Sequence, residues 1–207
     1  MKYIVNFFKK TETQEKLVTE RKQEMINTLI NHHFCIKGST SNDILSVLDT
    51  AYSETFLFDH EFDWDFLFGD RIDGTKKHFL LFDKINEWNY LRWNVWDFEE
   101  TKKLTLLISE KLNTKVYYFF IDPWIFTLRW VLADKGKLVK AYFESHGQIL
   151  NNEGHFEIED KIRTELQKEG EDEFWEDKFW QLYDKICQPI DIMNTMTSIL
   201  AVKGELR

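Results

Sequence analysis

The stretch that most constrains the fold runs from Val116 to Glu144, VYYFFIDPWIFTLRWVLADKGKLVKAYFE. It reads as three antiparallel strands with their turns still visible. Asp122-Pro123 ends the first strand, because proline fixes φ and has no N–H to give a ladder. Asp134-Lys135-Gly136 ends the second, with Gly136 able to take a left-handed turn position at little steric cost. In the second strand Trp124, Phe126, Leu128, Trp130 and Leu132 share one face and Thr127 and Arg129 the other, which predicts a half-solvated antiparallel strand. The third strand sets Val139, Ala141 and Phe143 against Lys140, Tyr142 and Glu144.

Helical signals flank this block. Thr11 with Gln14 has the form of a capping box, and a helix is expected to run from there to about His32, with Val18, Met25, Ile26, Leu29 and Ile30 on one side. Phe34-Cys35-Ile36 reads as a short strand. Thr40 with Asp43 opens a second helix carrying Ile44, Val47, Leu48 and Ala51. From Phe56 to Trp96 the pattern is β with irregular loops, with a turn at Asp73-Gly74 and strands over His78–Phe82 and Trp88–Val95. Glu99–Leu112 is predicted helical, with Leu104, Leu107, Ile108 and Leu112 inward and Asn113 as the left-handed residue after its end. Trp175, Phe179, Leu182, Tyr183 and Ile186 recur at helical spacing, Pro189 interrupts them, and Ile190–Val202 reads as a last helix. The expected architecture is a single α+β domain over residues 1–207. It is an antiparallel meander with helices packed on it and a helical C-terminal extension over 157–207.

A chain of 207 residues can bury roughly 70% of its unfolded surface. The 18 Phe and 8 Trp supply the apolar area, either as core or as exposed anchors for a partner. The formal charge of −9 opposes binding to phosphate backbones and anionic membranes and suits a basic protein partner. Two distant cysteines, Cys35 and Cys187, form neither a disulfide framework nor a metal knuckle, and point to buried thiols in a reducing compartment. The apolar part of MKYIVNFFKK is too short for a signal peptide, and no apolar run reaches membrane-spanning length. A cytoplasmic location is therefore expected.

No catalytic or cofactor motif stands out. The acidic stretch around His60 is the best candidate for a site. If it is extended, Asp59, Glu61, Asp63 and Asp65 project from one face. Four neighbouring carboxylates call for water, a basic partner or a divalent cation. A second acidic region, Glu157–Asp177, holds ten acids and three bases, with Glu171, Asp172 and Glu173 at its centre. The seven residues Asp59, Glu61, Asp63, Asp65, Glu171, Asp172 and Glu173 are the candidate protein contacts. His32 and His33 are adjacent, so on a helix they lack the i, i+4 spacing of a zinc pair, and a helix C-terminus accounts for them through its dipole. In Ser145-His146, strand neighbours point to opposite faces and cannot form a nucleophile and its base. Lys37-Gly38-Ser39-Thr40 lacks the spacing of a phosphate loop and reads as a loop and helix cap. No catalytic residue, cofactor or metal is assigned.

The pieces Trp88 onward, LISEKLNTKV (Leu107–Val116), WVLADKGKLVKAY (Trp130–Tyr142) and Asn152-Glu153-Gly154 resemble a bacterial immunity-protein-like domain of the kind encoded beside polymorphic toxins. The resemblance covers about residues 88–154. It implies an α+β binding protein that neutralises a cognate toxin by occlusion, with no catalytic residues of its own. Two alternatives stay open: a metal-dependent hydrolase built on the Asp59–Asp65 carboxylates, and a scaffold or regulatory protein.

Overall fold

The turns at Lys135-Gly136 and His146-Gly147 each end on a glycine, the residue that takes positive φ at little steric cost. Lys135 and Gly136 have φ of 52° and 78°, and His146 and Gly147 have 50° and 73°. Positive φ at both central residues is the two-residue hairpin turn whose twist matches that of its strands. These turns order a computed structural model that describes residues 32–57, 77–85, 87–122, 126–168, 182, 185–186 and 200–206. All of them belong to one compact unit, His32–Arg207.

The elements run β1 (His32–Lys37), α1 (Ser41–Val47), β2 (Thr50–Leu57), β3 (Lys77–Ile85), β4 (Trp88–Trp93), α2 (Phe98–Lys111), β5 (Lys115–Asp122), β6 (Thr127–Asp134), β7 (Lys137–Ser145), β8 (Gln148–Gly154), α3 (Glu157–Lys168) and β9 (Leu200–Leu206). The strands form one sheet in the order β2-β9-β3-β4-β1-β5-β6-β7-β8, with antiparallel pairing throughout. The architecture is α+β, as expected. Strands β5 to β8 follow one another in chain order, but β1 and β9 insert between other strands, so the whole sheet is not a simple meander.

The capping signals are met. Thr40 and Asp43 form a reciprocal capping box on α1, and Asp97 caps α2 by accepting from the Glu100 N–H at 2.8 Å. Asn113 takes φ of 49° just past α2. Ala51 lies in β2 and not on α1, whose last residue is Val47. Helix α2 lies across β5, β6 and β7, and α1 packs on α2 and β3. Beneath them Phe34, Ile36, Phe79, Leu81, Leu91, Trp93, Val116, Tyr118, Phe120 and Val131 form the main core. The inward stripe of α2 is Phe98, Thr101, Thr105, Ile108 and Ser109, whereas Leu107 is 40% exposed. Leu104 and Leu112 pack against that core and Ile108 lies within it, so of the expected stripe only Leu107 turns outward.

Three expectations are corrected. The β6 strand is not half-solvated: Thr127, Val131 and Ala133, which alternate with the inward set, are buried too, because α2 packs on one face and α3 contributes to covering the other. His32 and His33 belong to strand β1, not to a helix end; the strand is paired on both sides, by β4 and β5. The helix expected up to Val202 gives way at its end to β9, which fills the gap between β2 and β3. There Val202 pairs with Leu81 and Thr55, satisfying both ladders, and Gly204 disfavours helix. The helix expected over 11–31, the turn at Asp73-Gly74, most of the 169–199 helical pattern and Cys187 lie outside the described residues.

Candidate functional site

Seven side chains proposed from sequence, Asp59, Glu61, Asp63, Asp65, Glu171, Asp172 and Glu173, lie outside the described residues. The remaining sequence candidates resolve as structure. Gly38 donates to the Glu87 carbonyl at 2.9 Å, and Thr40 is a helix cap, so Lys37–Thr40 is a loop and cap. Ser145 shares a 2.9 Å hydrogen bond with Thr127, while His146 sits in the next turn. His155 places Nδ1 2.9 Å from Asp160 at the surface. His33, Cys35 and His78 are buried, and His33 packs beside Tyr90 and Phe119. On the same strip Arg92 is held down to about 9 by burial, with Tyr118 partly opposing the shift; it stays protonated at neutral pH. Among the described residues, no group of three or more His, Cys, Asp or Glu is placed to hold a metal ion.

Two constellations remain. The first lies between α3 and the sheet. Trp130 stacks on Tyr142 with centroids 4.1 Å apart, and its Nε1 donates to Glu159 at 3.1 Å. Glu159, wholly buried, also accepts from Arg163 Nε and Nη2 at 3.0 and 2.9 Å and lies 3.6 Å from Lys140. Lys140 donates to Asn152 Oδ1 at 2.6 Å, and the Tyr142 hydroxyl donates to Glu144. Burial, and then the Glu144 carboxylate, hold the Tyr142 hydroxyl above its ordinary range. Two cations and two anions balance, and each has a partner. A closed network of this kind fixes one arrangement of α3.

The second constellation is an exposed rim. The large hydrophobic side chains exposed among the described residues are Trp96 (45%), Leu107 (40%), Phe126 (53%), Ile149 (56%) and Leu150 (56%). All but Leu107 sit at one end of the sheet. Both β4 and β5 run antiparallel to β1, so they end together, and β6 begins, β7 ends and β8 begins at that same end. Trp96 is held there by two contacts. The Arg129 Nη1 donates to its carbonyl at 2.5 Å, and its ring meets Phe120 edge-on at 5.6 Å. Arg129 is itself clasped between Phe120 and Phe143, at 4.9 and 4.3 Å from the ring centres, a desolvated cation–π sandwich. Burial lowers its pKa, and Tyr118 and Asp97 oppose that shift.

Phe126 is the residue furthest from its sequence expectation. It is not a strand residue facing inward beside Leu128; it stands in the turn with φ of 45°. A bulky side chain in the left-handed region is strained, by about 1–2 kcal/mol. Its carbonyl accepts from the His146 N–H at 2.8 Å, and the two rings lie 6.2 Å apart. Strained, exposed aromatic residues cluster at sites of function. The only sequence hint was Asp122-Pro123, which marks a turn nearby; nothing marked Ile149 and Leu150, because β8 was not anticipated.

No protein-family model, no curated protein and no solved structure matches this chain. Among the described residues, no helix is long and apolar enough to cross a membrane.

Proposed function

We propose that this chain is a non-enzymatic, acidic binding protein of the immunity type, which neutralises a toxic enzyme by covering its working surface. The observation that supports this reading is the rim: four exposed hydrophobic side chains gathered at one end of the sheet, two of them aromatic and one in a strained backbone conformation. Exposed aromatic anchors in a polar surround are the usual energetic centre of a protein interface. The formal charge of −9 favours a basic partner and fast, salt-sensitive encounter. The resemblance over residues 88–154 agrees with this reading, as does the closed, charge-balanced network beneath α3. In this reading the protein works in the cytoplasm, binds neither nucleic acid nor membrane, and needs no cofactor.

The test is genetic and then physical. Cells expressing the product of the adjacent gene should die without this chain and survive with it, and the two proteins should co-purify. Association should slow as salt rises from 0.05 to about 0.5 M, where screening shortens to a few ångströms. A harmless neighbour that never co-purifies contradicts the proposal.

A further inference from the structure

Strand β8 closes the sheet on one side, and no second strand lies beside it among the described residues. Its outer row of N–H and C=O groups is thus a template for another chain. Natural sheets guard such edges with charged side chains, lysine above all, with proline, with bulges that twist the edge away, or with a covering loop. β8 reads Gln-Ile-Leu-Asn-Asn-Glu-Gly, with neither lysine nor proline, and all of its residues but Asn151 are exposed. Its pairing with β7 is regular over Asn151–Gly154, and the register then shifts so that Leu150 has no Cα partner. This bulge lies where Ile149 and Leu150, each 56% exposed, stand next to one another. Bulges at sheet edges re-aim side chains, often beside functional sites.

Charge selects the occupant. From Glu144 to Asp160 the chain carries no lysine or arginine; Glu144 and Glu159 are buried, and Glu153, Glu157 and Asp160 stand at the surface. Glu153, midway along, keeps its side chain 49% exposed while pairing with Lys102 from α2 at 3.1 Å. A second copy of this acidic chain would bring like charges together. An extended segment with basic side chains would not.

Resting on the binding role proposed above, we infer that β8 captures an extended, basic segment of the partner as an added antiparallel or parallel strand. Backbone hydrogen bonds would run along Asn151–Gly154, and the partner's apolar side chains would cover Ile149 and Leu150. Recognition by strand addition draws affinity from the main chain and specificity from alternate side chains.

Amide hydrogen exchange of the full chain, alone and with the adjacent-gene product, tests this. Alternate β8 amides should gain protection of at least about tenfold on complex formation. Leu150→Lys, which adds the guard residue that β8 lacks, should weaken the complex by about 30-fold or more with an unchanged melting temperature. Complex formation with β8 exchange unchanged overturns strand capture and leaves the binding role intact. Failure of the product to bind at all removes both. Protection that grows with this chain's own concentration, without the product, assigns the edge to a second copy and overturns the proposal.

Discussion

The two hairpin turns of the β6–β7–β8 unit have the same backbone and opposite surroundings. In both, a bulky residue and a glycine take positive φ in succession. The Lys135-Gly136 turn is stitched down. Gly136 N–H donates to Ser109 Oγ at 3.1 Å, Ser109 donates to the Thr114 carbonyl at 2.6 Å, and Lys135 N–H donates to that same carbonyl at 3.1 Å. The His146-Gly147 turn opens toward solvent beside Phe126. A Cβ on Gly136 would lie 2.8 Å from Glu110 Cβ, whereas one on Gly147 would meet nothing within 4 Å. One end of the sheet is committed to holding α2 in place; the other retains strain and exposed apolar area with no such packing. Identical local chemistry thus serves folding at one end and, in our reading, recognition at the other.

This contrast can be broken most sharply at the two glycines. Gly136→Ala incurs the left-handed strain of an L-residue and a contact that neighbouring side chains must yield to, for a loss of about 3 kcal/mol. Gly147→Ala incurs the strain alone, about 1–2 kcal/mol. Urea midpoints of the two variants give the comparison, and equal losses would abolish it. Next in size is Ser109→Ala, which strips the Gly136 N–H of its acceptor and should cost about 1–3 kcal/mol. At the open end the described anchor is a backbone one, the Phe126 carbonyl that accepts from the His146 N–H, and no side-chain truncation removes it.

At the open end the expectation reverses. Phe126→Gly removes an exposed ring and relieves its backbone, so stability should stay within about 1 kcal/mol of the parent. A larger drop would mean that Phe126 supports the fold and that the rim is structural. The smallest effect concerns the ion pair that ties β8 to α2. Hydrogen bonds from Asn151 and Lys102 hold the Glu153 carboxyl below its ordinary 4.5. A carboxylate depressed on folding contributes stability that is present above pH 4.5 and lost as pH falls through the folded value. Urea midpoints taken at pH 7 and near pH 3 should therefore converge in Glu153→Gln relative to the parent. The change should be slight, since the pair is exposed.

What was legible in the sequence was local. The Lys135-Gly136 reversal, the Thr40–Asp43 capping box, the Asn113 helix stop and the strands of the central block follow from φ preferences and short-range hydrogen bonds. What escaped was set by distant chain. Lys140, Tyr142 and Glu144 alternate like a solvent face, yet they are buried, with Glu159 and Arg163 of α3 packed against Tyr142 and Lys140. β9 continues a run with helical patterning and is defined as a strand by the two strands that it joins. His32 and His33 are strand residues because β5 pairs with them, at Phe120 and Phe119. The rim was illegible for a related reason: an aromatic residue's composition signal is the same in a core and on a surface. Only the turn geometry at Phe126 separates it from Leu128 and Trp130. The acidic candidates Asp59–Asp65 and Glu171–Glu173 were read from charge alone, and they bear on the account only as part of the negative field.

The account rests on the rim being the surface through which this chain meets its partner. Its most direct test is the dissociation constant for the adjacent-gene product measured with the parent and with Phe126→Asp, both at full thermal stability. A loss of affinity of about 100-fold, the scale of a lost aromatic anchor, is the predicted result. An unchanged dissociation constant in a folded Phe126→Asp protein would contradict it.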